Sequence, residues 1–142
     1  MQASVTTMQA NAAFSVKSWA EKTWDGKPHT EVAGAKLTRA EITYAYQGDI
    51  EGEGTVQYLM DYHEDGTGQY VGLERVVGSL GGRSGSFVLQ HLGAFDAQSV
   101  KASLSVVPGS GTGELRGLRG RAEVHIFSHQ ESYPLTLEYE FD

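Results

Sequence analysis

Two runs of alternating character, residues 69–80 and 83–95, are joined by Gly81-Gly82. A Gly-Gly pair can hold positive φ at both central positions of a two-residue turn, whose twist matches that of the strands it joins. The stretch therefore predicts a β-hairpin in which Leu80 faces Arg83. Counting outward, Val76 faces Phe87, Glu74 faces Leu89 and Gly72 faces His91. The rest of the chain must fold in a way that accepts two long paired strands.

Further strands are expected at about residues 12–24, 37–47, 50–62, 100–106, 122–126 and 135–141, where Val, Ile, Thr, Tyr and Leu alternate with polar residues. Gly48-Asp49, Asp65-Gly66 and the run from Asp96 to Gln98 mark turns between them, while Asp25-Gly26-Lys27-Pro28 opens a loop with room for a short helical turn. About eight strands joined mostly by short turns describe an up-and-down antiparallel meander, and closing it into a barrel removes its edges. The expected fold class is all-β: a single closed antiparallel up-and-down barrel over residues 12–142, preceded by a flexible lead-in at 1–11. Gly52, Gly54, Gly72, Gly78, Gly85 and Gly93 fall inside predicted strands. There they mark bends or close approach, as tight barrel curvature requires.

Composition narrows the function. The 142 residues suffice for one core burying roughly 70% of the unfolded surface without staples. There is no Cys, so thiolate chemistry and Cys-based metal sites are excluded, and a reducing compartment fits. The net charge of -7 has the wrong sign for nucleic acid or an anionic membrane as partner. The opening MQASVTTMQANAA lacks a basic and apolar leader pattern, and the expected location is cytoplasmic. His125 and His129 are four apart but stand where a strand runs into a turn, so no metal site is expected, and no cofactor. The glycine-rich crossing from Pro108 to Gly113 lacks the Lys of a phosphate loop. It reads as a tight connection in which Thr112 caps a short turn and Leu115 and Leu118 point into one barrel end.

The hairpin register makes Glu74 and His91 diagonal neighbours, with Gly72 leaving room opposite the imidazole. Carrying the count through Asp65-Gly66 and Gly48-Asp49 as two-residue turns adds Tyr44, Tyr46, Glu51 and Glu53 to the same face. Val56, Tyr58, Met60, Val71, Leu73, Val77, Val88 and Leu92 then fall on the other. The Glu74–His91 face is expected to line the cavity, so Tyr44, Glu53, Glu74, Phe87, Leu89 and His91 are the candidate ligand contacts. Glu74, His91 and Glu53 are the candidate catalytic groups. A carboxylate beside an imidazole orients it and favours its charged form, which suits acid–base work. Alternatively the pair belongs to a structural network, with Arg39, Arg75 or Arg83 as partners. Tyr58, Tyr62 and Tyr70 read as core or oligomer surface.

The segments EGEGTVQYLMDY, YVGLERVVGSLGGRSGSFVLQHLGAF and SVVPGSGTGELRGLRG together resemble a bacterial family known only as a domain of unknown function, placed with allene-oxide-cyclase-like barrels. The stretch from Gly109 to Gly120 is similar to the G-[ST]-G-x-[FL]-x-G-x-x-G run of plant dirigent proteins and allene oxide cyclases. The resemblance implies an eight-stranded barrel that associates through its outer surface, here as a homo-oligomer, dimer or trimer. Three functions remain open. The first is a barrel that binds a small apolar or aromatic molecule, the second an isomerase or cyclase working through the Glu/His pair, the third a structural oligomer with a filled barrel.

Overall fold

The computed structural model describes residues 7–142. Its strands are β1 (Met8–Thr23), β2 (Lys36–Gly48), β3 (Ile50–Tyr62), β4 (Gly68–Leu80), β5 (Arg83–Phe95), β6 (Val100–Val106), β7 (Leu118–Ile126) and β8 (Tyr133–Phe141). Each is antiparallel to its neighbour in sequence, and β8 returns to β1, closing an all-β barrel of eight strands. Closure pairs the row of backbone groups that an open meander would leave exposed at either edge. Two 3-10 turns, His29–Glu31 and Gly113–Leu115, are the helical elements among the described residues, and no helix there is long and apolar enough to cross a membrane.

The organising hairpin carries φ +57° at Gly81 and +83° at Gly82, the conformation a two-residue turn of this hand needs. Leu80 pairs with Arg83, Glu74 with Leu89 and Gly72 with His91, as expected from the turn. Two other turns depart from expectation. β2 and β3 pair Tyr46 with Gly52 around a tip at Asp49, and β3 and β4 pair Tyr62 with Gly68 across a five-residue loop. Each slips the count by one residue. The two slips cancel for β2, so Tyr44 and Tyr46 do point inward, but β3 is inverted: Val56, Tyr58 and Met60 are inside. Glu51 and Glu53 are outside and exposed. The physical reason is burial, since the alternative would put two unpaired carboxylates in the core and three large apolar side chains in water.

β1 begins at Met8, not near residue 12. Residues 8–12 lie opposite 135–139 of β8, so residues 8–11 of the expected lead-in form the seam that closes the barrel. Only the partner strand distinguishes this polar segment from a loose tail. Residues 1–6 of the expected lead-in lie outside the described residues.

One end of the barrel is filled. Ile50, Val76, Leu80, Phe87, Leu89 and Leu137 pack there with Leu115, at the end of the turn that follows the glycine-rich crossing, and Leu118, the first residue of β7, each at most 2% exposed. The crossing is stitched to β5 rather than capped by its own threonine: the Thr112 hydroxyl accepts from the Ser86 backbone at 3.0 Å and pairs with the Ser86 hydroxyl at 2.7 Å. Glu114 accepts from the Ser84 backbone at 3.0 Å.

Candidate functional site

Above the filled end the interior opens into a cavity of about 370 Å³. Its wall is mostly aromatic, with Phe14, Tyr44, Tyr58, Tyr70, Phe95 and Tyr133 among the rings, completed by aliphatic side chains of β6, β7 and β8. The mouth lies at the end opposite the Gly81-Gly82 turn, where the half-exposed Trp19 and the exposed Asp96 join the wall. The rings pack edge to face. Tyr58 sits 4.8 Å from Tyr70 and 5.3 Å from His91 between ring centres, and Phe14 sits 5.2 Å from Tyr44.

The floor is a chain of hydrogen bonds. Tyr44 and Tyr58 hydroxyls are 3.1 Å apart, Tyr58 Oη is 3.2 Å from His91 Nδ1, His91 Nε2 is 2.7 Å from Glu74 Oε1, and Tyr46 donates to Glu74 Oε2 at 2.5 Å. Two proton arrangements satisfy every link with Glu74 accepting: His91 carries one proton, on Nε2, with Tyr58 donating to Nδ1 and Tyr44 to Tyr58, or His91 carries two and the tyrosine links run the other way. No arginine takes part, for Arg39, Arg75 and Arg83 are all exposed. Burial drives the phenol pKa values of Tyr44, Tyr46 and Tyr58 well above the usual range, and the negative charge on Glu74 pushes Tyr46 further the same way. Burial takes Tyr70 to about 12. These hydroxyls are protonated at neutral pH, and Tyr46 donates to Glu74.

Local sequence makes room for the chain. A Cβ on Gly54 would collide with Glu74 Oε2 and lie 2.9 Å from the Tyr46 ring, so the glycine creates the niche that holds the carboxylate. Gly93 does the same for the Tyr70 ring, whose outer atoms occupy the place a Cβ would take.

Of the residues singled out from sequence, Tyr44 and His91 are on the cavity wall. Glu74 is fully buried and reaches the cavity through His91 and Tyr46, which both line it. Phe87 and Leu89 face inward but belong to the filled end. Glu53 is on the outer surface opposite Val77, and the inverted β3 puts Tyr58 inside in its place. Tyr62 and Tyr70, read as core or oligomer surface, also line the cavity.

A second buried carboxylate, Glu21, escaped the sequence reading. Its Oε2 accepts from Thr38 at 2.7 Å and from the Tyr62 hydroxyl, its Oε1 accepts from Trp19 Nε1 at 3.0 Å, and His29 Nε2 stands 3.8 Å away. It thereby pins two aromatic residues of the mouth. A bulge at Lys17 puts it there: Val16 pairs with Tyr44 but Ser18 with Thr43, and beyond the extra residue the odd-numbered side chains Trp19, Glu21 and Thr23 turn inward. Residues 21–23 are Glu-Lys-Thr, all polar, so nothing in the sequence marks Glu21 as inward-facing until the bulge is known.

Comparison with known proteins locates the chain without assigning it work. The profile described as "Protein of unknown function (DUF3224)" matches residues 10–139. The crystal structure at 1.84 Å of a protein of unknown function from that family, from Shewanella oneidensis MR-1, is 30% identical, with 96% of this chain and 99% of that one covered and a TM-score of 0.79. No curated protein matches.

Proposed function

The chain belongs to the DUF3224 family, and from that premise we propose that it binds a small apolar or aromatic molecule inside the barrel. The observation that carries this reading is the contrast between the two halves of one interior. Below, the barrel is filled by side chains at most 2% exposed, while above it a cavity of about 370 Å³ is kept open, within the size range of small-molecule pockets. No fully buried side-chain nitrogen or oxygen among the described residues lacks a hydrogen-bond partner, and most of the wall is apolar, so the space suits an apolar body. A barrel filled throughout for a purely structural role would have no reason to retain it. The test uses the neutral dye Nile red, whose emission should rise with saturation near one dye per barrel. Ala102 lines the cavity, so Ala102→Phe should abolish the rise while the barrel stays folded. Unchanged dye binding by that variant would place the dye elsewhere and end the proposal.

A second reading has its own support. Tyr58, His91 and Glu74 follow the order hydroxyl, imidazole, carboxylate, which is the arrangement that activates a hydroxyl for proton transfer. The resemblance of the Gly109–Gly120 run to dirigent proteins and allene oxide cyclases points the same way, to an isomerase or cyclase of the allene-oxide-cyclase kind. In that mechanism the Tyr58 oxygen takes a proton from the bound molecule as its own proton passes to His91 Nδ1, and Glu74 stabilises the imidazolium. Tyr58→Phe separates the readings: dye binding survives in both, but any turnover of a candidate substrate is lost only if the chain does chemistry.

A further inference from the structure

The charges around the cavity are unevenly distributed. Its wall contains no Lys or Arg, and its one carboxylate, Asp96, stands at the mouth. Asp96 Oδ1 is fully engaged by its own turn, accepting from the Gln98 and Ser99 backbones at 2.8 and 2.7 Å and from the Ser99 hydroxyl at 3.3 Å. Oδ2 has no hydrogen-bond partner among the described residues. Directly behind the wall are two further carboxylates, Glu74 at the floor and Glu21 at the mouth. Any ring that turns its face to the cavity adds to the same sign, since a π face is the negative side of the ring quadrupole.

Lys101, exposed on β6, acts on Asp96 through its charge from outside the wall, and the cation at the Tyr62 ring is Lys36. Its ammonium stands 4.8 Å from the centre of the Tyr62 ring and donates to the carbonyls of His29 and Val32 at 2.6 and 2.8 Å. It lies off the cavity wall with two of its donors already used, and it shows that a ring at the mouth accepts a positive charge on its face. His91 offers no free donor, because Nε2 is bound to Glu74 and Nδ1 to Tyr58.

Resting on the binding reading above, we propose that the cavity selects an organic cation: an aromatic or alicyclic body held between Tyr58, Tyr70 and Met60, with a protonated or quaternary amine at the mouth beside Asp96 and the faces of Trp19, Tyr62 and Phe95. A carboxylate of the same shape meets π faces and Asp96, with no positive group on the wall to replace its water. The hydrogen bonds from the turn hold the Asp96 carboxyl below its usual range, so the counter-charge is present throughout neutral pH.

The experiment compares three probes of one shape, naphthylmethylamine, naphthylmethanol and naphthoate, by calorimetry on the purified protein at neutral pH. The amine should bind about tenfold tighter than the alcohol, and naphthoate weakest of the three. Asp96→Asn keeps an oxygen for the Gln98 and Ser99 amides, so the turn and melting temperature should persist, while the preference for the amine falls to about threefold or less. Naphthoate binding as tightly as the amine would overturn the proposal, as would an amine preference that Asp96→Asn leaves unchanged. Alcohol binding with no gain for the amine removes the charge selection but leaves the binding reading in place. Absence of binding by all three removes both.

Discussion

At the scale of single residues, the chemistry centres on a carboxylate that could not be buried alone. Glu74 is fully buried, and two donors, His91 and Tyr46, hold its charge in place. Removing one of these donors leaves a buried carboxylate oxygen without its hydrogen bond in low dielectric. His91→Ala is therefore expected to cost about 3 kcal/mol, seen as a drop of roughly 10 °C in the thermal midpoint. Gly54→Ala adds only a methyl group, yet it drives into the Glu74 niche and should cost about 2 kcal/mol or more by the same measurement. Nitrogen NMR separates the two proton arrangements: the Nε2–H tautomer of His91 gives the direction from Tyr44 to Glu74, and a second proton on Nδ1 reverses the tyrosine links.

Among elements, the β4–β5 hairpin was legible because Gly81-Gly82 admits essentially one turn and every pairing follows by counting. β3 was misread for the converse reason. Gly48-Asp49 and Asp65-Gly66 are good turn residues, but they do not reveal whether one, two or five residues leave the ladder, and one residue inverts a strand. The alternation of Val56, Tyr58 and Met60 against Glu51 and Glu53 contained the correct answer, and burial outweighs turn chemistry where they conflict. The β1 bulge left no comparable trace, so Glu21 and Trp19 were missed together. With Trp24 replaced by Phe to leave one reporter, Glu21→Ala should release Trp19 and shift its emission to the red, while Lys22→Ala, one position along, should leave the spectrum unchanged.

For the whole molecule, the buried phenols set an alkaline limit. Burial raises the pKa of Tyr44, Tyr46, Tyr58, Tyr62 and Tyr70, so the folded state holds these protons more tightly than the unfolded chain does. Their stabilisation is complete below about pH 10, the unfolded value, and is lost as pH rises beyond it. A titration of phenolate absorbance should show these five ionising together with unfolding. The outer wall suggests assembly: Leu59 faces Val71 and Val71 faces Leu92 across β3, β4 and β5, all about half exposed, with Leu73 beside them. The homo-oligomer expected from sequence would cover this row, and sedimentation should then give a dimer or trimer that Val71→Lys converts to monomer. Finally, a barrel stoppered by Leu115 at one end is a blind tube. Whatever occupies it must leave by the way it entered before a successor can follow, so the rate at which bound dye is exchanged should be the same at every concentration of its replacement.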